Sequence, residues 1–524
     1  MQSTSRRGAR RATIRRTARA LDSAAPRPGV SPAGPRCLAL TIATLLAPRA
    51  HAQVATPPAG PAPAVTPLTT ADSTLPRARG FWRAEGYATV LAITSRAVRA
   101  YRTAGPACWP DPRPDAGRAD YAYVAPASGP GTLTLLTWPG DTRYQFRRLA
   151  RLPAACRAAE AGAVAWSSPR VLQAFTDLVG EQYAFFGPRG VDWPTRARAA
   201  HRRVTPATDA AGLYAAMTTA LAGVGDPHVE LHAVVGGDTV VFKDEASPTL
   251  AAVAAGARAG EAPEAAERRW RAAYRAGILD SLLAGRGHLD ANRRIFWGTI
   301  PGQAGGRGGG RVGYLNVVTM GGFTAGGEDA DPGAELAALD SVLDRAVGSF
   351  RGARAVIVDV TNNRGGYDVI SRAIAARFAD RPRRVYTKHA RGAAGVPPQP
   401  FVLTPAAGPR YLGPVTLVTS DVTVSAGETF ALAMRALPAV RHVGTRTRGA
   451  FSDVLAVPLP NGWRVHLSNE VYRDPRGHGV EGVGLVPAEP IDVFPAADLA
   501  AGTTMGHVHA VRTLAARLAA PRAR

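Results

Sequence analysis

The sequence predicts an α/β protein, and three observations carry that expectation. Apolar runs at Arg311-Val-Gly-Tyr-Leu-Asn-Val-Val318, Ala355-Val-Ile-Val-Asp-Val360 and Val415-Thr-Leu-Val-Thr419 have the length and β-branched content of buried strands. Helical segments separate them, at 334–347, after the glycines at 365–366, and at 425–437. Strands that alternate with helices in this way build a mainly parallel sheet covered by helices. At 524 residues the chain exceeds one ordinary core, so two or three domains are expected.

Taken in chain order, residues 1–52 read as a secretory signal. Arg6, Arg7, Arg10, Arg11, Arg15 and Arg16 precede the apolar run Cys37-Leu-Ala-Leu-Thr-Ile-Ala-Thr-Leu-Leu-Ala47, and Ala50-His51-Ala52 supplies a small-residue cleavage site. The apolar run is too short to span a bilayer, and no later segment approaches a span. The expectation is an exported protein, periplasmic or extracellular, with no transmembrane segment in its mature chain.

Residues 53–79 are an Ala/Pro/Thr-rich linker. Over 80–165 the pattern alternates with period two, as in Tyr87-Ala-Thr-Val-Leu-Ala-Ile93 and Thr132-Leu-Thr-Leu-Leu-Thr-Trp138. Pro139-Gly-Asp141 reads as a hairpin turn, and the region as a small β domain. A helical subdomain follows at 166–235, where Val171, Phe175, Leu178, Val179 and Tyr183 form one apolar stripe. The stretch 236–310 reads as a helical, glycine-rich insert. Its run Gly305–Gly310 lacks the G-K-S/T ending of a phosphate cradle. The α/β domain occupies 311–495, and 496–524 form a C-terminal helix and tail.

Composition narrows the function classes. The formal charge is +23, but ten arginines and one aspartate precede residue 53, which leaves +14 beyond the leader. Lys243 and Lys388 are the only lysines. An arginine-for-lysine bias of this kind looks like a GC-rich genome rather than a phosphate-binding surface. No nucleic-acid motif accompanies the arginines, so nucleic acid is not the expected partner. The basic balance that remains favours acidic substrates or an anionic envelope. Cys108 and Cys156, the cysteines beyond the leader, are candidates for one disulfide, against the alternative of two buried thiols.

Two segments carry chemistry. Ser425-Ala-Gly-Glu428 opens a helix after a buried strand. It has the S-x-x-E form of a capping box, in which serine only satisfies backbone amides. Equally, a serine there lies in the positive field of a helix start, with the next amide free for a developing oxyanion. Asn362-Asn-Arg-Gly-Gly366 follows another buried strand, and its glycines either make an ordinary turn or expose further amides.

Together these segments resemble the tail-specific (carboxyl-terminal-processing) serine peptidases. Val358-Asp-Val-Thr-Asn-Asn-Arg-Gly-Gly366 is similar to their D-x-R-x-N-x-G-G strand and turn, and Thr423-Val-Ser-Ala-Gly-Glu-Thr-Phe430 to their nucleophile segment. Val443-Gly-Thr-Arg-Thr-Arg-Gly449, Leu459-Pro-Asn-Gly-Trp463 and Val480-Glu-Gly-Val-Gly-Leu-Val-Pro487 resemble the elements that close the domain. The resemblance implies a crotonase/ClpP-like ββα catalytic domain that hydrolyses protein or peptide substrates without a cofactor or metal. It makes Ser425 the nucleophile, with the backbone N–H groups of Gly365 or Gly366 and of Ala426 as the oxyanion hole. The family's serine–lysine design needs a lysine where this chain has Ala450, so the resemblance points to the tricorn-core-like branch and to His228 of Gly225-Asp-Pro-His-Val-Glu-Leu231 as base. Pro227 precedes His228 where that branch has a linking serine. Glu481 matches the branch's glutamate, and Asp226 is the alternative orienter. Many such peptidases carry a peptide-presenting PDZ domain, which 236–310 does not resemble.

Rival readings remain beside the peptidase. His228, Glu230 and His232 share a strand face that suits a metal less often than a solvated or core-satisfied face, and His507-x-His509 is similarly weak. A non-catalytic ligand- or peptide-binding protein on the same fold is the main alternative, and an envelope-anchoring protein the third. The sequence leaves the oligomeric state open.

Overall fold

The computed structural model describes residues 65–70, 73–126, 128–244, 247–301, 310–327 and 332–520, and the signal segment lies outside them. All fall within one compact unit, Thr56–Arg524.

At its centre is a seven-stranded sheet in the order His288–Asp290, Ile295–Thr299, Val312–Val317, Ala355–Asp359, Val415–Thr419, Val440–Gly444 and Glu489–Pro490. From Val312 onward every pairing is parallel. Val312–Val317, Ala355–Asp359 and Val415–Thr419 are buried along their whole length, as a sheet covered on both faces requires. Alternate residues serve opposite layers. Leu315, Val356, Val358 and Leu417 pack on the side of the helices Pro332–Ser349, Asp368–Ala375 and Ala426–Arg435. Tyr314, Ile357 and Val418 face Trp270, Tyr274 and Ile278 from Pro263–Ala276 and the π-turn after it, with Val511 and Leu514 of the last helix, Met505–Ala519.

The sheet starts earlier than the expected boundary at 311. Ile295–Thr299 and His288–Asp290 extend it as antiparallel edge strands, and Asp238–Lys243 is a further strand inside the stretch read as helical. Short apolar runs such as Ile295-Phe-Trp297 become strands only through a neighbour distant in sequence, which local periodicity does not contain.

The N-terminal domain is an eight-stranded sheet with every pairing antiparallel. Its first strand, Thr66–Pro67, comes from the stretch read as linker, and the adjoining Leu68 and Ala78 are fully buried. Phe146, Leu135 and Leu91 pack with Ala390 and Ala393, so this sheet is continuous with the core of the later domain. Cys108 and Cys156 form a disulfide between the edge strand Ala107–Pro110 and the helix Ala154–Glu160.

A smaller antiparallel sheet matters most for the site. Its order is Asp238–Lys243, Glu230–Val235, Arg464–Ser468 and Val454–Pro458. It joins the segment after His228 to the hairpin that follows the Ser425 helix. Among the described residues, no helix is long and apolar enough to cross a membrane.

The disulfide closes a loop of sequence separation 48, for which loop-closure entropy gives about 4 kcal/mol. Replacing Cys108 and Cys156 together by serine should therefore lower the melting temperature seen by circular dichroism. An unchanged melting curve would show that packing alone holds the N-terminal sheet.

Candidate active site

Ser425 stands at the head of the helix Ala426–Arg435 with φ +56° and ψ −125°. That backbone region is normally left to glycine and costs on the order of 1–3 kcal/mol for another residue. The surrounding loop is stitched to the neighbouring one. The Thr423 hydroxyl donates to the Val360 carbonyl at 2.8 Å, Val424 N–H to Asn363 O at 3.3 Å, and Ser425 N–H to Ala450 O at 2.9 Å. The S-x-x-E sequence is not used as a capping box, because the Ser425 side chain caps nothing. The buried Glu428 carboxylate instead accepts from the N–H groups of Gly449 and Ala450, each at 2.7 Å. Burial pushes that carboxyl up to about 7. Among the described residues the Ser425 hydroxyl makes no hydrogen bond, so the strain does not serve a cap.

Gly365 and Gly366 lie against this serine. Both have positive φ, +83° and +136°. A Cβ on Gly365 would sit 2.8 Å from the Ser425 Cβ and 3.3 Å from its Oγ, and one on Gly366 would sit 2.3 Å from the Met320 carbonyl. Asn363 holds the turn, accepting from Gly365 N–H at 2.9 Å and donating to Val317 O at 2.8 Å. The Gly365 amide is thus committed to Asn363. The amides of Gly366 and Ala426 make no hydrogen bond among the described residues. They are the two donors left for a ligand oxygen.

His228 lies in the turn just before the strand Glu230–Val235 of the small antiparallel sheet, not on the strand itself. His466 pairs with Glu230 across that sheet, and the same register continued by two residues sets Ser468 opposite His228. The imidazole Nδ1 lies 3.3 Å from the Ser468 hydroxyl, itself fully buried. The Asp226 carboxylate is 4.0 Å from Nδ1 and accepts from the His228 backbone N–H at 3.0 Å. Burial holds the imidazole below its ordinary 6.5, opposed by the field of Asp226. No hydrogen bond joins His228 to Ser425 or to Glu481.

Glu481 accepts from the N–H groups of Phe451 at 2.7 Å and Ser452 at 3.2 Å. Burial, reinforced by Asp226, pushes its carboxyl up to about 8. Arg189 ties these pieces together, lying 3.4 Å from Glu481, 3.8 Å from Asp226 and 3.4 Å from the Gly449 carbonyl. The segment 449–452 is therefore shared: Ser425 hangs from one of its carbonyls, while Arg189 and Glu481 brace it from the His228 side. The sequence reading missed both Arg189 and Ser468. Neither lies in a motif, and only the strand pairing brings Ser468 to the imidazole.

The remaining candidates are accounted for. Ala450 is fully buried at the place of the lysine in the serine–lysine design. The Lys388 ammonium is held by Tyr472 at 3.0 Å, Glu470 at 3.1 Å and Asp453, and Lys243 pairs with Glu230 at 2.7 Å. Glu230, His232 and His466, rather than His228, bring ligand atoms within 4.8 Å of one another. In that group the Glu230 carboxylate already serves Lys243 and, at 2.7 Å, His232. His507 is buried on Asp359 at 2.7 Å while His509 is exposed, so those two do not share a site.

Residues 311–491, with the strained serine and the glycine turn inside them, match the profile of Peptidase family S41. This segment belongs to peptidase family S41. No curated protein matches the sequence. Among solved structures, a candidate peptidase from Parabacteroides merdae is 22% identical, with 68% of this chain and 98% of that one aligned and a TM-score of 0.51. Mature CPAF in complex with lactacystin is 15% identical over 67% and 98% of the two chains, with a TM-score of 0.49. The photosystem II D1 C-terminal processing protease is 16% identical over 68% and 100%, with a TM-score of 0.42. The S41 segment carries Ser425, both glycines and Glu481, and makes this a serine-peptidase domain. His228 and Asp226 lie upstream of the segment.

If the Ser425 backbone stores strain, glycine at that position should relieve it. Ser425→Gly is expected to raise unfolding stability by about 1 kcal/mol, read as a higher denaturant midpoint at unchanged slope. A lower midpoint would mean that the left-handed geometry carries no cost here.

Proposed function

We propose that the chain is an exported serine endopeptidase of the tail-specific type that works through an acyl-enzyme on Ser425, with His228 as general base. The observation that carries this is the unbonded Ser425 hydroxyl, held in a strained conformation beside the uncommitted amides of Gly366 and Ala426. A substrate carbonyl placed on those amides presents its carbon to the Ser425 Oγ. Negative charge that develops on its oxygen then meets two fixed donors, each of which typically contributes about 2.7–4 kcal/mol.

Proton removal falls to His228. With Nδ1–H donated to the Ser468 hydroxyl, the lone pair remains on Nε2, which makes no hydrogen bond among the described residues. Nε2 takes the Ser425 proton as the Oγ–carbon bond forms, then gives it to the leaving amine as the peptide bond breaks. Water, deprotonated by the same nitrogen, hydrolyses the ester and frees Ser425. Catalytic hydrogen bonds are often long before substrate binds, which fits the missing Ser425–His228 bond. Asp226, the carboxylate next to Nδ1, stabilises the imidazolium. Glu481 acts at one remove, fixing the 450–452 segment on which Ser425 hangs. Export is supported by the leader at 1–52 and by a disulfide, which suits an oxidising compartment.

The unmade Ser425–His228 bond is also what a non-catalytic binding protein on this fold would show, and one experiment separates the two. A fluorophosphonate probe should label the purified protein, Ser425→Ala should abolish labelling, and His228→Ala should slow it by about 10²–10⁴-fold. The pH profile adds a second readout. The base must be neutral, and its lowered pKa keeps it so below the ordinary 6.5, so the rate should fall only as pH drops through that lower value. An acid limb above the ordinary 6.5 would remove His228 from the role. A wild-type protein that does not react would favour the binding protein.

A further inference from the structure

The glycine turn that supplies the Gly366 amide is also one wall of a cavity of about 750 Å³, a size suited to several residues of a peptide. Five arginines line it, Arg271, Arg275, Arg293, Arg294 and Arg364. Among the described residues the one carboxylate paired with them is Glu267, shared by Arg271 at 3.0 Å and Arg364 at 3.1 Å. Among the described residues, Arg275 donates only to the Arg271 carbonyl, at 3.4 Å, and Arg293 has no side-chain partner. The Arg294 Nε is buried without an acceptor. Like charges gathered round one space repel, and removing water from them adds to the cost. The guanidinium of Arg275 is accordingly held below its ordinary range by burial and by the fields of Arg293, Arg271 and Arg294.

The backbone spends further free energy to present two of these arginines. Ala291, Asn292 and Arg293 have φ of +52°, +48° and +62°, three successive left-handed residues with no glycine among them. The Asn292 side chain fixes that turn by donating to the carbonyls of Gly322 at 3.2 Å and Thr324 at 3.3 Å. A strained turn that aims at a cavity cations left unpaired among the described residues is poor design for stability alone.

We infer that this cavity is a substrate subsite for acidic side chains, so that the peptides cleaved at Ser425 carry aspartate or glutamate on the side of the scissile bond that enters beside Gly366. The inference rests on Ser425 being the point of cleavage. Carboxylates there would take up the donors left open on Arg275, Arg293 and Arg294, in a partly desolvated setting where charge-assisted bonds are strongest.

Binding to Ser425→Ala, which cannot turn over, tests this apart from catalysis. The probes are two fluorescent peptides around an Ala-Ala bond, one with glutamates on both sides and one with glutamines. The glutamate peptide should bind about tenfold more tightly at low salt, with an advantage that shrinks as ionic strength rises. Adding Arg293→Gln and Arg294→Gln should erase the difference, whereas Arg99→Gln on the N-terminal sheet should keep it. Equal binding of the two peptides, or an acidic preference that survives the double change, would overturn the inference. Fluorophosphonate labelling of Arg293→Gln/Arg294→Gln with Ser425 intact reports the catalytic reading separately. A protein that prefers the glutamate peptide but never labels would retain the subsite and lose the peptidase.

Discussion

The approach of two loops, with no room for a side chain between them, is the constraint on which the site depends. The turn at 362–366 and the loop before the Ala426–Arg435 helix leave adjacent parallel strands at the same end of the sheet. Open α/β sheets place ligands at that end. Here the loops approach until the Cα of Gly365 almost touches the Ser425 side chain. Asn363 serves both loops, taking the Gly365 amide with its side chain and the Val424 amide with its carbonyl. The left-handed Ser425 is tolerated because hydrogen bonds on both flanks leave it no relaxed alternative. The free amides of Gly366 and Ala426 are by-products of the same crossing.

Much of this was legible in the residues. The runs at 355–360 and 415–419 read as buried strands because β-branched residues fill both faces, and the glycine pair could be placed directly after one of them. Ser425 could be located, but its local sequence could not separate a cap from a nucleophile. The capping box is ruled out by where Glu428 goes, and its partners are about twenty residues downstream. The imidazole's partner was out of reach. Ser468 meets His228 across 240 residues, through a strand pairing that no local pattern encodes. The edge strands at 288–299 were missed for the same reason, since a short apolar run takes its conformation from its neighbour.

The acids around the site differ in job although they share burial. Asp226 lies 4.0 Å from the imidazole Nδ1 and 3.8 Å from Arg189, between the two. Glu428 and Glu481 each hold a pair of backbone amides and are pushed up by burial, Glu428 to about 7 and Glu481 to about 8, so they act as struts as much as charges. Lys388 is the counterpart on the other side. It gathers Asp453, Glu470 and Tyr472, while Tyr87 of the N-terminal domain donates to the same Glu470 at 2.5 Å. A buried cation of this kind specifies an arrangement more than it adds stability.

One consequence follows from where the pieces lie along the chain. The hydroxyl and its amides belong to the S41 segment, but the imidazole enters on a turn more than eighty residues ahead of it, just before the strand Glu230–Val235, and is seated by a hairpin within it. The indole of Trp109, in the N-terminal sheet, donates to the Pro458 carbonyl of that hairpin at 2.8 Å. The S41 segment by itself is thus half a machine. Selection on this site must act on three stretches of chain at once, and a recombination event that swapped only the family segment would separate the Ser425 hydroxyl from the imidazole proposed to activate it.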